Sequence, residues 1–246
     1  MFNIFKKRTI FDLGVNDGSD TAFYLEKGFR VVAVEANPIL AEAVRLRFCN
    51  EIQAGTLVLL NVGIWHDNRT LPFYINQAND HWSSFDPEYG CRNGTPFTVV
   101  DVPCMTIVQL LESYGLPYYM KIDIEGADKV VLGQMQKTQW RPKYISVEEY
   151  GVVAIDDLRS LGYKKFAIVS QRDKTVKIAP KIPLEGRGFF LNRQFNGTVS
   201  GVFGREIQDK WLAYDDARMH FIRSVRREDY TWVGPDYEWF DIHAKF

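Results

Sequence analysis

The sequence predicts an α/β fold, an open, mostly parallel, doubly wound sheet, and three observations lead there. Short apolar runs alternate with stretches that carry helix start and stop signals. Several of these runs show no polar alternation, as in "LVLLNVGI", which suits strands covered on both faces. Four of the runs end in acidic residues, the position at which ligands bind in such sheets.

The elements follow in order. "TIFDL" is a first strand; Ser19 is placed to cap a helix over 20–27, closed by Gly28. A second strand covers 30–35. Asn37-Pro38 pairs an N-cap with proline at the first helical position and opens a helix to about residue 49. The third strand is expected over 57–64. From 67 to 96 the pattern loosens into a strand-like "TLPFYI" and a long loop rich in turn formers, a length that in compact domains often marks function.

Order returns with the strand "FTVVDVP", and Thr106 with Gln109 forms a capping box for a helix ended by Gly115. "PYYMKIDIEGAD" delivers Asp123 and Glu125 at a strand end and continues into a helix to about residue 137. "KYISVEEYG" likewise delivers Glu148 and Glu149. A helix near 154–161, a strand "KKFAIVS" and a last strand in "RGFFLNRQF" complete the alternation. Residues 1–204 are expected to form one domain, and 205–246 a helical and aromatic extension packed on it.

Composition narrows the function. The chain has 246 residues, 46% of them hydrophobic, enough for a full core, and a formal charge of −1 with basic residues dispersed. That distribution offers no footprint for nucleic acid or an anionic membrane. The three cysteines, Cys49, Cys91 and Cys104, lack any paired spacing, so a reducing, cytoplasmic setting is expected rather than a disulfide framework or zinc site. No apolar run is long enough for a membrane span, and 1–8 is too short and charged for a signal peptide. The sequons at Asn68, Asn93 and Asn196 are then read as chance.

The glycine turn after the first strand frees backbone N–H groups beside a helix N-terminus, and an acid ending the second strand can accept ribose hydroxyls. Glu35 lies twenty-one positions after Gly14. A dinucleotide fingerprint begun at Gly14 needs glycine where Asn16 and Ser19 stand, which disfavours a nucleotide-dependent oxidoreductase. Asp12 would repel a pyrophosphate, whereas a carboxylate there suits the ammonium and sulfonium of S-adenosylmethionine. The plainer alternative is a strand-to-helix turn that uses Gly14 only for its dihedrals, in a fold kept as a non-catalytic recognition module.

"FDLGVNDGSDTAFYLEKGFRVVAVEANP", "LNVGIWHDN", "MKIDIEGAD" and "ISVEEY", in that order, resemble the motifs of the FkbM-type methyltransferases over about residues 9–170. The resemblance implies a Rossmann-like, seven-stranded methyltransferase sheet, S-adenosylmethionine as cofactor, and methylation of hydroxyls on carbohydrates or small natural products. It also implies that Asp12, Gly14, Asn16 and Asp17 lie at the methionine end, Glu35 on the ribose, and 61–64, from Asn61 to Ile64, by the adenine. Ser83 and Ser84 match a serine-containing segment of the family. The sequence before the first strand is shorter than in many relatives, and the part after Gly204 matches no family pattern.

For the second substrate the chain offers Asp123, Glu125 and Glu148 at the ends of two strands. If those strands are neighbours, the carboxylates meet where the acceptor must sit, either holding Mg²⁺ or providing a general base. Helix capping and solvation are ordinary roles for the same residues. His81, in the long loop, is the other candidate base, or simply an exposed histidine. His66, His220 and His243 carry no comparable signal. The tail aromatics (Trp211, Tyr230, Trp232, Tyr237, Trp239, Phe240) fit either stacking on a sugar or packing against the sheet.

Overall fold

The computed structural model describes residues 8–172, 174, 176–187, 193–195, 199–208, 210–235 and 238–246. Thr9–Leu13 (β1), Arg30–Val34 (β2), Leu57–Leu60 (β3), Tyr119–Ile122 (β7), Tyr144–Glu148 (β8), Lys165–Ser170 (β9) and Phe240–Lys245 (β10) form a seven-stranded sheet ordered β3-β2-β1-β7-β8-β10-β9. Every pairing is parallel except those of β10, which runs antiparallel to both neighbours. The winding reverses between β1 and β7. The chain after each of those two strands leads to a helix on a different face of the sheet, and a crevice forms there, the usual ligand position in an open α/β sheet.

Alternating side chains bury both faces of the sheet. Phe11, Leu13, Val32 and Val34 join one core with the helices Ile107–Tyr114 (α5), Asp128–Gln136 (α6), Val153–Ser160 (α7) and Tyr214–Ser224 (α8). Ile10, Val31 and Ala33 join the other, with Ser19–Glu26 (α1) and Val44 of Pro38–Arg47 (α2). Val199, Val202 and Phe203, just before the tail, complete that second core, and the Phe203 ring stacks on Tyr119 at 4.3 Å.

Several elements match the sequence reading. Asn37 caps α2 by accepting the Ile39 N–H, Thr106 and Gln109 make the reciprocal capping box of α5, and Gly28 follows α1 at φ 78°. Other elements differ. Ser19 lies inside α1; Gly18, left-handed at φ 79°, occupies the cap, and the Asp17 carboxylate accepts from both the N–H and the hydroxyl of Ser19. The helix expected to residue 49 breaks at Phe48 and resumes as Cys49–Gln53 (α3).

The third apolar run serves two sheets. β3 stops at Leu60, and Gly63–Ile64 (β4) pairs with Phe97–Met105 (β6), which pairs with Thr70–Asn76 (β5), in a separate sheet ordered β4-β6-β5. The loop after β5 holds a 3-10 turn, Asp80–Trp82, and a one-turn helix, Pro87–Gly90 (α4). Of the strand expected over 187–195, residues 188–192 lie outside the described residues. The strand between β8 and β9 is β10, drawn from the tail after residue 204.

Of the tail aromatics, Phe240 is buried and Trp232 lies 6.2 Å from its ring. Lys245 sits over Trp211, and Tyr230 covers Gly151 where a Cβ would stand. Packing accounts for Phe240, Trp232 and Trp211, while Tyr230 is exposed. Trp239 is exposed, and Tyr237 lies outside the described residues. Among the described residues no helix is long and apolar enough to cross a membrane.

Candidate functional site

A cleft of about 650 Å³, open to solvent, lies beyond the C-terminal ends of β1, β2 and β7. Gly14 forms its floor. It is left-handed at φ 86°, its N–H donates to Val34 O, and a Cβ there would stand 1.7 Å from Asp123 O. Glycine is thus required twice, for conformation and for the close passage of the β1 and β7 loops.

Glu35 follows β2 and is 7% exposed. Its Oε2 accepts the Asn16 N–H and its Oε1 the Asn37 N–H, both at 2.8 Å, so the carboxylate ties the loop after β1 to the start of α2. Burial pushes its pKa up to about 7, against the opposing pull of those N–H groups. The Val15 N–H also pulls on the carboxylate, and what acceptor capacity remains is beside the cleft, which Glu35 lines. An apolar slot adjoins it, made by Ala36, Leu40, Val62, Ile64, Phe73 and Phe85. Gly63 passes under Phe85, whose ring a Cβ would strike at 2.3 Å. Asn61 is not on the cleft wall; its Nδ2 donates to Glu35 O and Ala36 O and fixes the chain after β2.

Beneath the floor lies a charge cluster. Lys121 Nζ is 3.1 Å from Asp123 Oδ2, 3.3 Å from Asp20 Oδ2, 3.4 Å from Gly14 O and 3.9 Å from Asp12 Oδ1. Burial alone would lower the lysine's pKa; Asp123, Asp20, Asp12 and the farther Asp241 outweigh it and hold the ammonium well above its ordinary range. Asp12 is fully buried, with Oδ2 accepting from Thr21 Oγ1 at 2.6 Å and Oδ1 without a hydrogen bond. Burial raises its carboxyl to about 7, Lys121 pulling the other way. Asp12 therefore sits buried behind the cleft and Asp17 is exposed, its carboxylate spent on Ser19, while Gly14, Asn16 and Glu35 line the cleft.

On the opposite wall β7 and β8 are neighbours, as the carboxylate grouping requires. The Asp123 side chain is 39% exposed to the cleft. Glu125 is left-handed, φ 43°, and its Oε2 accepts from Arg92 Nη2 at 2.6 Å. Burial, with Asp123 adding to it and Arg92 opposing, raises Glu125 to about 7. Glu148, ending β8, is held well above the carboxylate range by burial and then by Asp123 and Glu125, though it does not line the cleft. Glu149 turns away to accept from Gly151 N and Arg226 Nη2.

His81 stands half-exposed at the mouth, 3.8 Å from Asp80. Ser83 lines the cleft, and Ser84 Oγ donates to Glu125 O. His66 and His220 are exposed, and His243 is buried in β10 with its pKa pushed down to about 3. Among the described residues no group of three or more His, Cys, Asp or Glu side chains is arranged to hold a metal ion.

Lys121, Asp20, Arg92 and Phe85 escaped the sequence reading. A lysine inside the apolar run "YYMKIDI" was the available signal for the first. The others reach the site only through contacts distant in sequence, 33 residues between Arg92 and Glu125.

A family model described as a methyltransferase FkbM domain matches residues 12–165. No curated protein matches the chain. Among solved structures, one similar to it is a methyltransferase FkbM from Methylobacillus flagellatus KT, 15% identical with a TM-score of 0.39, over 58% of this chain and 33% of that one. The chain thus spans about a third of that protein's length. A precorrin-6y C5,15-methyltransferase from Geobacter metallireducens GS-15 is 11% identical with a TM-score of 0.42, over 98% of this chain and 82% of that one. An O-methyltransferase from Bacillus cereus in complex with SAH is 12% identical with a TM-score of 0.34, over 66% of each chain.

Proposed function

The chain belongs to the FkbM methyltransferase family, and from that premise we propose that it transfers the methyl group of S-adenosylmethionine to a hydroxyl oxygen of a carbohydrate or small natural product. The observation that carries the reading is the placement of Glu35. It is a buried carboxylate at the end of β2, between a glycine floor and an apolar slot, with acceptor capacity left for a ribose hydroxyl.

The residues fit the cofactor. Glu35 would take the ribose, the slot from Ala36 to Phe85 the adenine, and Asp123 with the loop 14–16 the methionine end. Asp12, Asp20 and Asp123 bring three carboxylates to one ammonium at Lys121, an excess of negative charge that favours a cationic ligand. When bound, S-adenosylmethionine supplies an electrophilic methyl group on a sulfonium leaving group.

The chain's own part is to orient the acceptor and take its proton. We assign the proton to Glu125 Oε1, the oxygen that Arg92 does not hold. A carboxyl with a pKa of about 7 is partly ionised at neutral pH, yet basic enough to accept from a hydroxyl as the oxygen attacks. Glu148, off the cleft wall at the end of β8, is held well above the carboxylate range by burial and its acidic neighbours. Glu149 is committed to Arg226, and Glu125 meets Arg92 through Oε2 alone. The unpaired cysteines fit work in the reducing cytoplasm.

The test is methyl transfer from isotopically labelled S-adenosylmethionine to a panel of alkyl glycosides and macrolactones, followed by mass spectrometry. The reading expects an O-methyl product whose rate rises with pH through about 7 in the parent and loses that limb in Glu125→Gln. A product methylated only on carbon or nitrogen, or an unchanged profile in Glu125→Gln, would refute it.

A further inference from the structure

The turn that carries Glu125 is gripped at three points by one loop of the smaller sheet. Ser84 Oγ donates to Glu125 O at 2.7 Å, Arg92 Nη2 donates to Glu125 Oε2 at 2.6 Å, and the Tyr89 ring covers Gly126, 3.5 Å from where a Cβ would stand. A left-handed glutamate persists only where its surroundings impose that backbone. Here the imposition comes from outside the seven-stranded sheet.

Arg92 is itself braced. Its guanidinium lies 5.1 Å from the Trp82 ring centroid and 5.2 Å from that of Tyr89, and Nε donates to Tyr89 O at 2.9 Å. The loop beneath is fastened to β5. Asn76 Nδ2 donates to Gly90 O at 2.8 Å and to Thr95 Oγ1 at 2.6 Å, while Tyr74 and Ser84 exchange backbone hydrogen bonds. Gly90 passes so close that a Cβ would lie 2.5 Å from Tyr74 Cβ.

The groups facing Glu125 are Asp123 after β7, Asp128 in the first turn of α6, Glu148 ending β8, and Tyr89 and Arg92 from the loop. Arg92 is the one cation in that set. We propose that Arg92 is a positioning residue of the transfer reaction: braced between Trp82 and Tyr89, it aims Glu125 into the cleft with Oε1 free and supplies the counter-charge that lets it ionise beside Asp123 and Glu148. The role differs from binding cofactor, since Arg92 does not line the cleft. It rests on Glu125 being the base.

The test is a titration of Glu125 by NMR with carboxyl-labelled glutamate, the resonance assigned through Glu125→Gln, in the parent, Arg92→Met and Arg92→Lys. Removing an opposite charge at this distance raises a carboxyl pKa by about one to three units. Arg92→Met is expected to move the midpoint upward by at least about one unit, Arg92→Lys to restore most of it, and both to bind S-adenosylhomocysteine within about threefold of the parent by calorimetry. An unmoved midpoint in Arg92→Met, or a lysine variant that behaves like the methionine one, overturns the proposal. Should Arg92→Met fail to fold, Trp82→Ala removes one face of the brace; the midpoint must rise there too, and constancy refutes the brace.

Failure of this proposal is separable from failure of the base assignment. Undiminished transfer from labelled S-adenosylmethionine to the glycoside panel by Glu125→Gln would remove the base, and with it Arg92's part in the reaction, whatever the titration gives. Loss of transfer in Glu125→Gln with an unmoved midpoint in Arg92→Met would remove Arg92 alone.

Discussion

Replacing Gly14 by alanine tests the joint between the two halves of the sheet. The new Cβ would stand 1.7 Å from Asp123 O and 2.8 Å from Asp123 C, more than an ångström short of contact distance to the oxygen, and both obstacles are backbone. The left-handed φ of 86° costs an L-residue about 1–2 kcal/mol. Forcing β1 and β7 loops apart adds an overpacking cost of about 1–3 kcal/mol. A destabilisation of about 2–5 kcal/mol lowers Tm in a domain of this size by about 4–20 °C. Scanning calorimetry of parent and variant reads it directly, with S-adenosylhomocysteine titrated into both below the transition. The displacement of Asp123 should also weaken that binding by about tenfold or more, as a shift of about 1.4 kcal/mol does. A variant with parental Tm and affinity would refute the geometry assigned to the cleft floor.

Gly63→Ala tests the apolar slot: its Cβ meets the Phe85 ring at 2.3 Å, so adenosyl affinity should fall while Tm changes by no more than about 5 °C; unchanged affinity in calorimetry would exclude Phe85 from the site. Lys27→Met leaves Glu206 buried without its ion-pair partner, both side chains being fully buried, and should cost about 3–5 kcal/mol in denaturant unfolding, with Lys27→Met/Glu206→Gln regaining part. A single variant within about 1 kcal/mol of the parent would contradict that. Asp12, Glu35, Glu125 and Asp128 are raised to about 7, chiefly by burial, so above their ordinary pKa values the folded chain holds protons that the unfolded chain has released. Their contribution is full below about 4 and is lost as pH rises through 7. His243, lowered to about 3, opposes them only below 6.5, so between pH 6.5 and 8 Tm should fall as pH rises. Saturating S-adenosylmethionine, which favours the ionised carboxylates, should flatten that slope; a Tm that climbs over the same window would contradict the burial argument.

The alternation of elements was legible because caps and apolar runs are local signals: Asn37-Pro38, the Thr106–Gln109 box and Gly28 act within a few residues. What escaped was decided at long range. "LVLLNVGI" is apolar throughout, and nothing in its periodicity tells that Leu60 ends one sheet while Gly63 enters another. β10 was hidden because Asp241 and His243 put two ionisable side chains in a strand that is buried between β8 and β9. Burial holds Asp241 well above the carboxylate range and keeps His243 neutral, so neither need carry charge there.

The site divides along the same line. Gly14, Glu35 and Asp123 were readable because each ends a strand in a sheet whose strand ends form the crevice. Asp12 was readable as an acid but not as a buried one, since its burial follows from Thr21 and Lys121 closing over it. Arg92 sits in a loop of turn formers, where no local pattern distinguishes it from a solvated residue.

The most direct test of the account is calorimetric titration of the purified chain with S-adenosylmethionine and S-adenosylhomocysteine, with NADH as control, repeated on Glu35→Ala. The account predicts saturable one-to-one binding of both adenosyl compounds, none of NADH, and loss in the variant. Binding of NADH alone, or adenosyl binding that survives Glu35→Ala undiminished, would contradict it.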